Sequence, residues 1–342
     1  MKKVVFISVA VILVVTASVA GYVAYQLLGE AVKEDVVVYV PTGSDEKSLV
    51  ELLDTVSAKP RLLVYFSSVA ADRYGSPNPG KFTIKAGSNN YEMLRYIYTA
   101  RGEEVRVTYN SLRRLEDLAG VVSRQIEADS LSIIEAIRDT SFLSANGYDI
   151  KTVLSLFIPD TYHYYWNTSA RQFLDRCVKE HKKFWNTERL KKAEAMGMTP
   201  MQVTTLASIV ESETVKADEQ PRVAGLYVNR LKKGILLQSD PTVIYAILQV
   251  EPERYPIRRV YLSDLKIDSP YNTYRNRGLP PSPIRIPSRG AIEATLNYEH
   301  NSYIYMCASP ERVGYHAFAR NLSEHNKNRR AYIRWINSRN IK

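Results

Sequence analysis

The stretch Thr199-Pro200-Met201-Gln202-Val203-Thr204-Thr205-Leu206-Ala207-Ser208-Ile209-Val210-Glu211-Ser212-Glu213-Thr214 reads as a helix with two carboxylates at its far end. Thr199 can accept from the first free backbone N–H groups, Pro200 suits the first helical position, and Gln202 completes a capping box. Val203, Leu206, Ala207 and Val210 then recur at i, i+3, i+4 and i+7, an apolar stripe. Residues two apart on a helix point about 200° apart, so Glu211 and Glu213 lie near opposite edges of that stripe and cannot face each other. A glutamate beside an apolar face can be desolvated enough to hold a proton near neutral pH, as an acid that cleaves a glycosidic bond must. Spacing alone does not single out either residue, and a solvated helix edge is the plain alternative.

Outward from this helix, a second is expected from about Asp218, with Pro221 in its first turn. Val223, Tyr227 and Leu231 share one face, and Gly234 ends it. Asp240-Pro241 marks another start, for Thr242 to Leu248. Gln238, Asp240, Asn272 and Tyr274 supply the amide, carboxylate and phenol groups that sugar hydroxyls and acetamido groups require. Asp240 as a simple cap, and Tyr271 to Tyr274 as a packed loop, remain open. Gly278 to Pro283 suggests a rigid wall. Upstream, a long helical stretch from about Ser169 to Ala195 ends at Gly197, after an aromatic segment from Phe157 to Tyr165. Val36 to Val40 alternates as a strand stopped by Pro41, and Leu49, Leu52 and Leu53 follow with helical spacing. Lys81 to Lys85 reads as a second strand, with a helix on Tyr91, Met93, Leu94 and Ile97. Val105 to Tyr109 reads as a third, with a helix on Leu112, Leu115, Leu118 and Val122. The fold class is α+β, with small modules over 36–155 and a larger mixed α/β domain over 156–342.

The N-terminus decides the compartment. Lys2 and Lys3 precede an uncharged run from Val4 to Leu28, 25 residues, enough to cross a hydrocarbon core of about 30 Å. Lysines before it and Glu30, Glu34 and Asp35 after it predict a short cytoplasmic tip (1–3), a single-pass anchor (4–28) and a chain with its remainder outside. Cleavage after the small-residue pattern Ser18-Val19-Ala20 is the rival reading. In either case the chain leaves the cytoplasm. The excess of 46 Lys+Arg over 36 Asp+Glu then points to anionic lipid or an acidic cell wall rather than nucleic acid. Lys327, Arg329, Arg330, Arg334, Arg339 and Lys342 make the C-terminal end locally basic, as a solvated helix face also would. The 24 Tyr against 8 Phe suit a half-wet sugar groove as well as they suit strands. Cys177 and Cys307 form no CxxC; they can pair or stay free. The five histidines (His163, His181, His300, His316, His325) include no HExxH, so no metal is expected, and His316 and His325 read as structural. No GxSxG elbow or phosphate-binding glycine loop occurs, and no cofactor is expected.

The run Leu206 to Thr214 resembles the signature of the endolytic murein transglycosylases of YceG-like (MltG) type. The likeness continues through Pro221 to Leu231, Leu237-Gln238-Ser239-Asp240-Pro241-Thr242-Val243 and Tyr271-Asn272-Thr273-Tyr274. It ends with Gly278 to Ile284, His316-Ala317-Phe318 and His325-Asn326. The resemblance implies a transmembrane helix, LysM-like modules and a YceG-like catalytic domain held at the cytoplasmic (inner) membrane. It implies Glu211 as general acid/base, with Glu213, Gln238, Asp240, Asn272 and Tyr274 binding substrate. Nascent peptidoglycan glycan strands would be cut internally between MurNAc and GlcNAc to 1,6-anhydro ends, terminating strand growth. Peptidoglycan synthases are a further class of partner it leaves open. The family's Glu-Gly before Phe-x-Pro-Asp-Thr-Tyr is replaced here by Leu154-Ser155. The alternative function is a non-catalytic, membrane-anchored peptidoglycan-binding protein.

Overall fold

The computed structural model describes residues 2–339; Met1, at the expected cytoplasmic tip, and Lys342, in the basic C-terminal run, lie outside them. The fold is mixed α/β, with two-stranded sheets among many helices. Its two compact units are interleaved along the chain. One takes residues up to Val107, Val122–Asp129 and Tyr162–Ser169; the other takes Thr108–Val121, Ser130–Thr161 and Ala170 onward. Residues 108–121 and 130–155 thus fold with the C-terminal part.

The first unit begins with helix α1 (Lys2–Leu28). Among the described residues it is the one helix long and apolar enough to cross a membrane, with mean hydropathy 2.7 over its apolar window. Strand β1 (Val36–Val40) pairs antiparallel with β2 (Gly80–Ile84), Val38 opposite Phe82. Helices α2 (Glu46–Asp54), α3 (Leu63–Tyr74) and α4 (Asn90–Thr99) complete the module. Asp45 caps α2 by accepting from the Ser48 N–H, and Asn89 and Glu92 form a capping box on α4. Val38, Val40, Leu49, Leu53, Phe82, Met93 and Ile97 close the core.

The C-terminal end of α1 belongs to that core: Val23 and Leu27 pack against it. Asn90, fully buried, ties the junction. Its Nδ2 donates to the carbonyls of Gln26 (2.8 Å) and Lys59 (2.9 Å), and its Oδ1 accepts from Ser57 Oγ (2.8 Å). Lys59 Nζ sits 4.1 Å from the centre of the Tyr25 ring, a cation–π contact. The apolar helix therefore runs into the module without a flexible linker.

The second unit holds β3's last residues (β3, Glu104–Tyr109), α5 (Leu115–Ser123, through Val121), α6 (Ser130–Arg138) and α7 (Thr140–Ala145). Strand β4 (Asp160–Tyr165), whose residues from Tyr162 belong to the first unit, pairs with β3. The expected long helix after Ser169 is two: α8 (Ala170–Phe184) and α9 (Thr187–Ala195). Asn186 breaks it, its side chain accepting from the Arg189 N–H as a cap. Then come α10 (Pro200–Glu213), α11 (Gln220–Lys232), α12 (Asp240–Val250) and α13 (Arg289–Leu296). A hairpin, β5 (Tyr305–Ala308) with β6 (His316–Ala319), and α14 (Leu322–Ser338) close the unit.

Helix α10 starts at the expected capping box. It is not amphipathic, however. Every residue from Val203 to Val210 is buried, because α11, α12 and α13 pack around it. Its polar residues are satisfied locally: Thr204 and Thr205 donate back to the carbonyls of Pro200 and Met201. Ser208 donates to Thr205 O and accepts from the Ile284 N–H. Such self-satisfied hydroxyls let a partly polar helix occupy a core.

Replacing Asn90 by Ala leaves two carbonyls and one hydroxyl without their partner. The expected cost is about 2–3 kcal/mol, to be read as a lowered denaturation midpoint of the full chain in detergent micelles. An unchanged midpoint would show that the α1 junction adds nothing to the module.

Candidate active site

The two carboxylates at the end of α10 enter different surroundings. Glu211 Oε2 accepts from Ser111 Oγ (2.7 Å) and the Ser288 N–H (3.2 Å), and lies 3.5 Å from Arg285 Nε. Arg285 also donates to Ser111 Oγ (2.8 Å), and Ser111 reaches Ile286 O. Only 14% of the Glu211 side chain is exposed. This carboxylate is held in an ion pair that joins residue 111 to the 285–288 segment, and it does not line the cavity described next. Its Oε2 is thus engaged by Ser111, the Ser288 N–H and Arg285 rather than by the cavity.

Glu213 lines a cavity of about 330 Å³ together with Gln238, Asp240 and Tyr274, and with Tyr227, Arg230, Tyr305, Cys307, His316 and His325. Its Oε1 accepts from Tyr227 Oη (2.8 Å) and from Ser239 Oγ. Its Oε2 has no protein donor among the described residues. Burial pushes the Glu213 carboxyl above its ordinary value, and the negative charge of Asp240 adds to this; the bonds from Ser239 and Tyr227 and the charge of His316 oppose it. Two donors on Oε1 suit the carbonyl oxygen of a neutral acid, leaving Oε2 to carry the proton toward the cavity.

Four of the expected sugar-binding residues meet here. Gln238 has φ of 53°, the one left-handed non-glycine among the described residues. Its Oε1 accepts from Arg230 Nη2 (2.7 Å), while its backbone N–H donates to Thr273 O. Such strain persists where surrounding bonds over-determine it, commonly at functional sites. Asp240 is the first residue of α12, not its cap; Oδ1 accepts from Tyr274 Oη (2.6 Å). Burial, first, and the Asp240 carboxylate, second, push the Tyr274 phenol well above its ordinary value. Ser239 occupies the capping position but makes no side-chain cap; its hydroxyl goes to Glu213 instead.

Asn272 is a correction. It is fully buried, its Nδ2 donating to Leu265 O and Ile267 O (both 2.9 Å) and its Oδ1 accepting from the Tyr274 N–H (3.0 Å). Both of its Nδ2 hydrogens hold the loop that presents Tyr274, and it does not line the cavity. Conversely, His316 and His325, expected to be structural, line the cavity. The sequence signal for them was their place in the shared motif. Cys177 and Cys307 are not joined in a disulfide.

A second cavity, about 630 Å³, lies in the first unit beside Thr83, Lys85, Tyr96 and Glu103. Glu103 is bonded to Thr83 and paired with Lys81. Burial pushes its carboxyl up, but those bonds outweigh burial and hold it below its ordinary value. An ionised, occupied carboxylate is unsuited to proton donation.

The model of the family described as YceG-like matches residues 38–331. A Bacillus subtilis protein named endolytic murein transglycosylase is 26% identical over 322 residues, covering 88% of this chain and 86% of its own length. A Streptococcus pneumoniae protein of the same name is 23% identical over 349 residues. That alignment covers 91% of this chain but 62% of the streptococcal one, so the chain spans less than two thirds of that relative. The crystal structure of a yceG-like protein from Listeria monocytogenes superposes with a TM-score of 0.56 at 23% identity, over 86% of this chain and 98% of that one. At that identity the likeness bears on the fold.

The two glutamates differ in their predicted response to substitution. Glu211→Ala leaves Arg285 without its partner in a largely covered site and is expected to cost about 3 kcal/mol, seen as a lower thermal midpoint. Glu213→Gln keeps both hydrogen bonds to Oε1 and removes a charge that burial disfavours. Its sign follows from the raised acidity constant. Below about pH 4 both folded and unfolded forms are protonated. As pH rises, the unfolded chain ionises first and the wild type loses stability. The Glu213→Gln protein should therefore gain on the wild type between about pH 4 and neutrality. A constant difference across that range, measured by thermal denaturation, would argue against a sheltered Glu213.

Proposed function

The chain belongs to the YceG-like family, and we propose that it is a membrane-anchored endolytic murein transglycosylase in which Glu213, not Glu211, is the general acid. The name shared by the Bacillus and Streptococcus relatives supports the reaction class. The single observation that carries the residue assignment is Glu213 itself: desolvated, bonded through Oε1 only, and facing the cavity.

The chemistry follows from that arrangement. The protonated carboxyl donates to the oxygen that leaves from C1 of MurNAc. As the C1–O bond breaks, positive charge develops on the sugar ring and the 6-hydroxyl of the same residue closes onto C1, its proton passing in the one-carboxyl scheme to the carboxylate that Glu213 has become. Because the acceptor is internal, no activated water is needed and the usual second carboxylate is dispensable. Gln238, Asp240 and Tyr274 are the proposed sugar contacts. The Asp240–Tyr274 bond (2.6 Å) keeps the phenol oriented into the cavity. Arg230 Nη2 fixes the side chain of Gln238.

The apolar helix α1 supports anchorage at the cytoplasmic membrane, with Lys3 inside and the two units outside. Its union with the first module would hold that module against the bilayer, near newly made strands. The LysM-like character of the small modules, strand termination and association with a synthase belong to the same proposal.

The test is mass analysis of products from uncrosslinked glycan strands. The wild type should give internal cuts with 1,6-anhydro ends. Glu213→Gln should lower the rate at least 1,000-fold, of the order expected for losing a general acid, while Glu211→Gln should keep most of its activity at a temperature where it is folded. Reducing ends would indicate a hydrolase; no product at all would indicate a wall-binding protein. Loss of activity confined to folded Glu211→Gln would return the acid to position 211.

A further inference from the structure

His316 opens strand β6 and lines the same cavity as Glu213. Glu219 holds it from two sides: Oε1 accepts the His316 backbone N–H (2.7 Å) and Oε2 lies 2.9 Å from Nδ1. Only 3% of the Glu219 side chain and 20% of the His316 side chain are exposed. An ionised carboxylate can only accept, so Nδ1 carries the hydrogen. In the neutral imidazole Nε2 is then a lone pair, and it has no protein partner among the described residues. A buried acid and a cavity-lining imidazole oriented through Nδ1, with Nε2 unbonded among the described residues, form the orienter–base half of a catalytic arrangement.

We propose that His316, oriented by Glu219, is the general base of the reaction, taking the proton from the MurNAc 6-hydroxyl. This rests on the transglycosylase reading. The one-carboxyl scheme makes Glu213 give its proton away before it can collect another. With a separate base the two transfers coincide. The O6–H proton passes to Nε2 and the O6 electron pair forms the bond to C1. The C1–O4 bond breaks, and the leaving O4 takes the Glu213 proton. The cycle ends with His316 protonated and Glu213 ionised, and solvent exchange resets both after product leaves. Ionisation is eased at that moment, because the charge on His316 favours the Glu213 carboxylate.

Several charged groups surround His316: Glu219 at the N-cap of α11, and Glu213 on α10 and Arg230 on α11, which border the same cavity. Asp240 on α12 and His325 on α14 border the same cavity, as do Tyr274, Tyr305 of β5 and the Cys307 thiol of β5. Beside it in sequence, Tyr315 is bonded to Asp218 and covered by Arg312 and Lys216. Glu219 alone of these groups has a polar atom bonded to the imidazole.

The assignment makes activity bell-shaped in pH. The rate falls on the acid side once protonation occupies Nε2 of His316, and falls as pH rises through the raised Glu213 value. His316→Gln should lower kcat about 100-fold or more with KM within about threefold, and should lose the acidic limb. Glu219→Gln removes the charge that favours imidazolium and should move that limb to lower pH; it serves also if His316→Gln does not fold. Both are followed as anhydro-product formation by the full chain, with folding checked by thermal denaturation. A folded His316→Gln protein with wild-type kcat and acidic limb overturns the proposal. So does a change in KM alone, or an acidic limb unmoved by Glu219→Gln. A wild type that makes no anhydro product instead overturns the transglycosylase reading itself.

Discussion

The cavity depends on one diverted hydrogen bond. Ser239 stands at the N-cap of α12, where a serine hydroxyl normally accepts from the helix's own N–H groups. Here it donates to Glu213 Oε1, beside Tyr227 Oη. Those two donors fix the carboxyl plane and leave Oε2 without a protein donor among the described residues. Without them the side chain would be an unpartnered buried acid, free to rotate. With more of them it would ionise and lose its use as a proton donor. Two hydrogen bonds, both on one oxygen, keep it oriented while burial still raises its acidity constant.

The separation of roles between the glutamates comes from the burial of α10. If the helix showed one face to solvent, one or other glutamate would be a surface residue. Because α11, α12 and α13 surround it, both side chains leave the helix into protein. They leave in nearly opposite directions, as a two-residue step demands. Glu211 meets Arg285, Ser111 and the Ser288 N–H, groups that stabilise a charge. Glu213 meets two hydroxyls and the Asp240 carboxylate, and its burial favours neutrality. One helix thereby presents two carboxyl groups, two residues apart, to different surroundings.

Much of this was legible in the sequence, and the limits are instructive. The capping box at Thr199, the strand at Val36–Val40, the start of α11 near Pro221 and the apolar N-terminal helix all follow from local rules. So did the set Glu213, Gln238, Asp240 and Tyr274, which converges at the cavity. The split at Asn186 escaped notice because the apolar spacing continues through it, although Asn is itself a capping residue. The fate of Asn272 and the choice between Glu211 and Glu213 were not readable. They depend on which distant groups arrive beside each side chain: Leu265 and Ile267 for one, Arg285 against Ser239 for the other. Interleaving of the two units was hidden for the same reason, since the β3–β4 pairing is non-local.

Glu219 and Ser239 share a property that explains how the fold releases side chains for chemistry. Each occupies the N-cap position of its helix, and neither caps it. Forgoing a cap ordinarily costs about 1 kcal/mol, because helix N–H groups are left without a partner. In both helices, however, the second helical residue is proline, Pro221 in α11 and Pro241 in α12. Proline has no N–H, so one of the donors a capping side chain would satisfy is absent from the start. In α10 proline is the first residue and the Thr199 hydroxyl takes the third N–H, that of Gln202, whereas in α11 and α12 the third N–H, of Arg222 and Thr242, goes to the carbonyl of the N-cap residue itself. Proline at the second position thus lowers the penalty for turning a capping side chain outward. At Ser239 the freed hydroxyl orients Glu213, and at Glu219 the freed carboxylate orients His316.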